Sequence, residues 1–498
     1  MPAPDVLLIN PAGRARAYQA LAVSLAAVEP PIWAALIASG LRRRGVSCRI
    51  IDANAEGLSP EEVAREVVRE RPVLSAVVVY GHQPSASTQN MPAASALVSA
   101  LKQADPSSRV LLLGGHAAAL PERTLREEAA DFVCAGEGLI TILDLLPALK
   151  AGSEDYRLVR DLWYRDAGGC VRRAPPAPLL RDLDTELPGA AWDLLPMDRY
   201  RAHNWHCFGS LDRQPYAALY TALGCPFRCE FCCIQAPFRS GERVAGRPGA
   251  NSYRMWSAGM VLSEIDLLVQ RYGVRNIKFA DELFLLNRSH VESICDGLIA
   301  RGYDLNIWAY ARLDTVGGFP LDKLKRAGIR WLALGIETAS PRVLRAAGKG
   351  SRCEDVRRTV GLVRSAGINI IGNYIFGLPE DDLDSMRETL ELALSLRCEY
   401  ANFYCAMAYP GSRLYERALR ENLPLPETWS GYSQLAEDAL PLPTGRLSGA
   451  EVLRFRDRAF QTYFSDPGYL ALIRDKFGPA TAQEILGMTK QRLKRKYA

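Results

Sequence analysis

Short apolar runs alternate with amphipathic stretches along most of this chain. In the first 150 residues the runs are DVLLIN (5–10), CRIIDAN (48–54), AVVVYG (76–81), RVLLLGG (109–115) and DFVCAG (131–136). Consecutive Val, Ile and Leu without polar alternation predict strands covered on both faces, as in a parallel sheet. Between them PPIWAALIASGLRRRG, PEEVAREVVRER, STQNMPAASALVSALKQA and PERTLREEA carry a helical period. Such alternation predicts an open, doubly wound α/β unit that binds ligands in the crevice beyond the carboxyl ends of its strands. Those ends hold Asn10-Pro11, Asp52-Ala53, Gly81-His82, Gly114-Gly115-His116 and Gly136-Glu137-Gly138. No G-x-G-x-x-G follows the first strand and no P-loop pattern occurs, which argues against a nicotinamide or flavin site.

Residues 151–215 lose this periodicity. WYRDAGGCVRR (163–173) reads as a hairpin turning at Ala167-Gly168-Gly169, and the proline-rich stretch after it excludes a long helix. A second alternation starts at Tyr216, with strands expected at 216–223, 277–282, 305–312, 331–337, 368–377 and 400–407. SAGMVLSEIDLLVQRYG and LDSMRETLELALSLR are two of the amphipathic helices between them. Six β–α units predict a partial barrel, with chemistry at the carboxyl ends of its strands. From 421 to 498 the pattern is helical, including GAEVLRFRDRAFQTYF and AQEILGMTKQRLKRKYA, and predicts a small cap on the barrel opening. The expected division is thus 1–150, a strap over 151–215, a barrel over 216–420 and a helical cap over 421–498.

At 498 residues the chain exceeds one ordinary core. No apolar run approaches the ~20 residues that span a bilayer, and the N-terminus lacks the basic start of a secretory signal. A cytoplasmic protein without a membrane partner is expected. The net charge of +5 is small, so its basic clusters are expected to be solvated helix faces and no nucleic-acid partner is expected. Twelve cysteines are spread unevenly, which fits a reducing compartment and a metal site better than a disulfide scaffold.

Candidate chemistry concentrates in LGCPFRCEFCC (223–233), which places Cys225, Cys229 and Cys232 at the spacing C-x3-C-x2-C. Three thiolates within eight residues reach one face of a small iron–sulfur cluster. A [4Fe–4S] cube ordinarily takes four ligands, so three leave one iron open to a non-protein ligand. Zinc is the alternative, although its structural sites usually pair two C-x2-C units and no second pair sits nearby. His203, His206 and Cys207 also resemble a metal set by composition, but their spacing matches no zinc motif and local packing is expected.

With the aromatic Phe231 just before the third cysteine, the motif resembles that of the radical S-adenosylmethionine (SAM) superfamily. The first 150 residues resemble the cobalamin-binding domain that precedes the barrel in many such enzymes. The resemblance there rests on LLINP, Glu29-Pro30-Pro31, Gly114-Gly115 and AGEG at 135–138. It implies a Rossmann-like cobalamin domain, a partial (β/α)6 barrel, and three cofactors: a [4Fe–4S] cluster on Cys225, Cys229 and Cys232, SAM, and cobalamin. By the same resemblance Asp281 and Glu282 stand where the family places a glycine-rich segment ending in Glu that holds the SAM amino group. Arg312, Glu337, Gly377 and Glu380 fall at later strand ends that contact SAM. Ser85, Gly114, Gly115, His116, Gly136 and Gly138 fall on the cobalamin side, with Ser87 and Thr88 close to Ser85. The family's cobalt-ligating His after the first strand is missing, since residues 11–31 hold none; His82 and His116 are the strand-end histidines that could approach the metal. Tyr310, Tyr374, Tyr404 and Cys405 are candidate pocket-lining residues. The implied activity is C-methylation of an unactivated carbon in a small-molecule intermediate, with a flavodoxin or ferredoxin as electron donor. The alternative is oxidative cyclisation or rearrangement with the same cofactors and no net methylation. A transfer-RNA methylthiotransferase would need three extra cluster cysteines in the first domain, which holds only Cys48 and Cys134.

Overall fold

The computed structural model describes residues 3–19, 25–81, 86–238, 252–350 and 353–497. Five parallel strands form the first sheet: β1 (Val6–Asn10), β2 (Cys48–Asp52), β3 (Leu74–Val78), β4 (Val110–Leu113) and β5 (Phe132–Cys134). Their spatial order, β2-β1-β3-β4-β5, reverses direction between β1 and β3, and doubly wound sheets bind ligands at such switch points. Alternate residues enter different cores: Val6 and Leu8 pack with the helices Ile32–Arg43 and Leu139–Lys150, while Leu7 and Ile9 pack with Pro60–Glu70 and Ala86–Ala104. That division is why the strands are apolar without alternation.

The hairpin expected at 163–173 forms as β6 (Leu162–Arg165) and β7 (Val171–Arg173). It belongs to the first sheet rather than to a free strap, because β6 pairs antiparallel with β5. The irregular chain after it docks on the second unit through a half-buried carboxylate. Glu264 Oε1 accepts from Ala190 N (2.8 Å) and Trp192 Nε1 (2.9 Å). Burial pushes that carboxyl up to about 7. The folded state therefore keeps a proton that the unfolded chain releases, and stability falls as pH rises from the ordinary carboxyl value of 4.5 through 7. Glu264→Gln keeps an oxygen for both hydrogen bonds and removes that fall. Between about pH 5 and about pH 8 the parent is expected to lose about 2 kcal/mol more than the variant in denaturant melts; equal losses would contradict this reading.

The second sheet contains six parallel strands in sequential order: β8 (Tyr216–Leu219), β11 (Asn276–Phe279), β12 (Asn306–Arg312), β13 (Ile329–Glu337), β14 (Asn369–Phe376) and β15 (Tyr400–Cys405). It curls into a half-barrel. The first strand is shorter than expected. It stops at Leu219, and Ala222–Gly224 (β9) turns away to pair with Tyr253–Met255 (β10). The tail holds the helices Gly449–Phe464, Pro467–Phe477 and Pro479–Thr489; the basic end beyond Thr489 is not helical. The tail expected as a cap divides: Gln434 borders the cavity at the carboxyl ends of the strands, while the last helices lie at the other end. Phe477 stacks on Trp331 near the start of β13 (5.9 Å), beside Phe208 and Trp205. These rings, with Trp308 and Tyr400, close the floor at the amino ends of the strands.

Candidate functional site

The turn after β9 carries the three motif cysteines, and its backbone is pinned from several sides. Cys232 N donates to Cys229 O (3.2 Å), Glu230 N to Ala347 O (3.1 Å) and Leu414 N to Glu230 O (2.9 Å). Gln235 Nε2 donates to Cys225 O (2.6 Å). Cys225, Cys229 and Cys232 all border one cavity of about 310 Å³ at the carboxyl ends of the barrel strands, together with Phe231. Arg312 Nη1 reaches Cys229 Sγ at 3.5 Å, and its guanidinium lies 3.8 Å from the centre of the Phe227 ring. Asp314 holds the same guanidinium with two hydrogen bonds of 2.9 and 2.7 Å. Among the described residues no three His, Cys, Asp or Glu side chains are grouped closely enough to share one ion.

Glu282 borders this cavity and its Oε2 is shut off from solvent without a hydrogen-bond partner. Burial is the main reason its carboxyl is pushed up to about 8, with Asp281 adding to the rise. An unmet buried acceptor of this kind calls for a donor such as an ammonium. Asp281 is not such a group. It is buried and accepts from Thr221 N (2.6 Å) and Thr221 Oγ1 (2.5 Å), so it ties the end of β11 to the chain leaving β8. Glu337 sits at a bulge in β13 with φ +64°, and Lys349 Nζ donates to its Oε1 (2.5 Å) and to Gly335 O (2.7 Å). This buried pair forms part of the cavity wall.

Gly377 and Glu380 are not brought to the cavity. A Cβ on Gly377 would strike Val452 of the helix packed outside the sheet, and its N–H is used by Asp381 Oδ2 (2.9 Å). Glu380 is exposed on the surface beside Arg342. Tyr374 also points outward, stacked on Phe403 (5.4 Å), whereas Tyr310, Tyr404 and Cys405 do border the cavity. Alternation explains the split. Trp308, Tyr310 and Arg312 on β12, Ile371, Asn373 and Ile375 on β14, and Tyr400, Asn402 and Tyr404 on β15 face the lumen from floor to rim.

A second crevice of about 70 Å³ opens at the switch point of the first sheet. It is lined by Asn10 after β1, Asn54 after β2, Gly81 after β3, and Arg14, Tyr18 and Asn90. Arg14 Nη1 is buried there with an unmet N–H. Amides and a spare guanidinium N–H suit the carboxamide-rich rim of a corrinoid. Ser85 and His82 lie outside the described residues. Gly115 borders a narrow gap between the two units, with Trp33 and Tyr80 on one side and Tyr220, Cys233 and Glu282 on the other. Gly114, at φ +145°, lets β4 pass against the Val79 carbonyl, where a Cβ would sit 2.1 Å from the oxygen. Gly136 and Gly138 serve packing in the same way, against Asp161 and Leu113. His116 turns from the crevice. It is buried against Thr88 Oγ1 (Nδ1, 3.2 Å) and edge-on to Trp429 (4.3 Å), and burial drops its pKa to about 3, keeping it neutral. His206 bonds Asn306 O (2.9 Å), His203 stacks on Trp205 (5.4 Å) and the Cys207 thiol reaches Asp212 O (3.5 Å), so that trio is packed locally.

Sequence reasoning missed Lys349, Arg14, Gln89, Asn373 and Gln434. Only Gly-Lys-Gly at 348–350 and Arg14 four residues past β1 offered a local signal. Gln89 and Gln434 belong to other parts of the chain and reach the barrel cavity by tertiary packing.

Comparison with known proteins agrees with this geometry. Residues 219–393 match the model of the radical SAM superfamily, and residues 18–146 match that of the B12 binding domain. An "uncharacterized methyltransferase PH0819" of Pyrococcus horikoshii is 30% identical over 449 residues, 90% of each chain. An anaerobic magnesium-protoporphyrin IX monomethyl ester cyclase of Rubrivivax gelatinosus is 25% identical over 421 residues, 82% of this chain and 69% of its own. The solved structure of the cobalamin-dependent SAM radical enzyme OxsB, with aqua-cobalamin and SAM bound, superposes with a TM-score of 0.64 at 18% identity, covering 98% of this chain and 70% of that one. The protein uses a [4Fe–4S] cluster, SAM and cobalamin. Near-full-length similarity and two matched domains in this order make the chain an enzyme of the radical SAM superfamily that carries a B12-binding domain ahead of its radical SAM domain.

Proposed function

We propose that this enzyme is a C-methyltransferase acting on an unactivated carbon of a small-molecule biosynthetic intermediate. One observation carries the reading. The switch-point crevice, the barrel lumen and the cysteine cavity are joined through shared walls: Tyr18 and His203 border the first two, and Gln89, Tyr310 and Asn373 border the last two. A substrate in the lumen would thus lie between the two cofactor sites. We assign the cluster to Cys225, Cys229 and Cys232, the SAM ammonium to Glu282, and the far end of SAM to the wall formed by Arg312, Glu337 and Lys349. Cobalamin is assigned to the crevice around Asn10, Arg14 and Gly81.

When bound, the cluster and SAM supply a one-electron reductive cleavage that generates a hydrogen-abstracting radical, and cobalamin supplies a methyl group. The chain's own part is placement and exclusion. Glu282 offers its unmet acceptor to the SAM ammonium. Arg312 steadies the Cys229 sulfur. The ring-lined floor and the first domain shut water out of the lumen. The buried phenols of Tyr310 and Tyr404 stay protonated, since burial raises both. We place the protein in the cytoplasm with a flavodoxin- or ferredoxin-type electron donor; no helix among the described residues is long and apolar enough to cross a membrane. We further assign the cobalamin unit to about residue 173, since β6 and β7 complete its sheet.

Anaerobic purification with cobalamin supplied tests this reading. The expected result is about four irons per chain, a corrinoid absorption spectrum, and a product heavier by one methylene. The cyclase relatives favour a second reading, which predicts the same cofactors with no methylene gained. A preparation that takes up iron but never cobalamin would defeat both.

A further inference from the structure

The lumen between the aromatic floor and the cysteine cavity has an unusual charge inventory. Among the described residues, every ammonium or guanidinium that borders these two spaces already has a carboxylate: Lys278 with Glu29 (3.0 Å), Arg456 with Asp457 (2.9 Å), Arg312 with Asp314 (2.7 Å) and Lys349 with Glu337 (2.5 Å). What stays open, besides the Glu282 carboxyl and the Trp308 indole N–H, are amides and phenols on aromatic walls formed by Trp308, Tyr310 and Tyr404. Gln434, like Gln89, comes to the lumen from outside the barrel. Its segment is clamped at both sides: Ser433 Oγ donates to Ala17 O (2.9 Å), Gln19 Nε2 to Leu435 O (2.7 Å), and Arg495 Nη1 to Gln434 O (2.8 Å). Cys405 N donates to Gln434 Oε1 (3.0 Å). That bond fixes the carboxamide and leaves its NH2 end for the lumen, where Gln434 borders both spaces.

We propose that Gln434 is a specificity-determining residue, and that the lumen selects an uncharged, flat substrate bearing a hydrogen-bond acceptor, to which the Gln434 amide donates. The phosphate or carboxylate of an anionic substrate would find no spare cation among the described lining residues, and burying an unpaired charge is costly. This inference rests on the reading of the lumen as the substrate site of a radical SAM enzyme.

Three matched probes test it on the protein reconstituted with cluster and cobalamin: 2-naphthamide, naphthalene and 2-naphthyl phosphate, titrated by ligand-observed NMR. The parent is expected to bind 2-naphthamide at least about tenfold more tightly than 2-naphthyl phosphate, the scale of one net hydrogen bond to a buried partner. Gln434→Leu should weaken 2-naphthamide by about the same factor while naphthalene changes less than about twofold. Gln434→Glu, which keeps the oxygen on Cys405 N but removes the donor, should do likewise. Equal or tighter phosphate binding, equal losses for naphthalene and naphthamide, or no probe binding would overturn the proposal. Release of 5′-deoxyadenosine from SAM by the parent is measured separately. Its absence with the probe preference intact would remove the radical reading and leave the pocket chemistry standing.

Discussion

Replacing Cys225, Cys229 and Cys232 together with Ala is expected to take iron from about four per chain to background and to end SAM cleavage altogether. The reason is local. The turn bearing the three cysteines is pinned by Cys229 O, Ala347 O, Gln235 and Leu414 through bonds that do not involve the thiols. The turn should therefore keep its shape when the sulfurs are removed, and a lost cluster would not be a lost fold. Circular dichroism and the denaturation midpoint should stay near those of the cluster-free parent. Cobalamin uptake should also survive, because the switch-point crevice shares no wall residue with the three cysteines. Retained SAM cleavage by the triple variant would refute the cluster assignment.

Lys349→Met is expected to cost about 3–5 kcal/mol of stability, the scale of stripping one partner from a buried ion pair. Both partners are nearly inaccessible, Lys349 at 4% and Glu337 at 7%. Removing the ammonium leaves the Glu337 carboxylate and the Gly335 carbonyl without their donor, at a bulge where the backbone is already in the left-handed region. Adding Glu337→Gln to the variant should recover part of the loss, because the stranded charge goes with it. A loss below about 1 kcal/mol, the size of an exposed ion pair, would mean that the pair is solvated in solution and does not build the wall.

Much of the architecture was legible because local pattern and tertiary role agree. The runs VLLI, IKF and NIIGNYIF are strands because each is covered on both sides, and no other placement would bury so much apolar surface. The cysteine triplet was legible because its ligand geometry is local in the chain. Asp281 and Glu282 show where legibility stops. Adjacent residues of a strand end point to opposite sides, so one closes a scaffold and the other faces the cavity. Gly377 and Glu380 were misplaced for a related reason: the chain leaves β14 toward the helix Gly449–Phe464, whose approach no nearby residue encodes.

By itself, the sequence determined two α/β units in order, the strands of each, a three-thiol site after the first barrel strand, and the cofactors that such a site and such a first domain imply. The units, the strands and the thiol site follow from short-range periodicity and from ligand spacings spanned by one turn; SAM and cobalamin follow only from the resemblance of those motifs to a known family. Only the tertiary structure decided that β6 and β7 finish the first sheet, that the last helices of the tail close the floor, and that Gln89, Gln434 and Lys349 meet in one cavity. Each of these is a contact between segments far apart in the chain, fixed by which apolar faces remain to be covered once the local elements have formed.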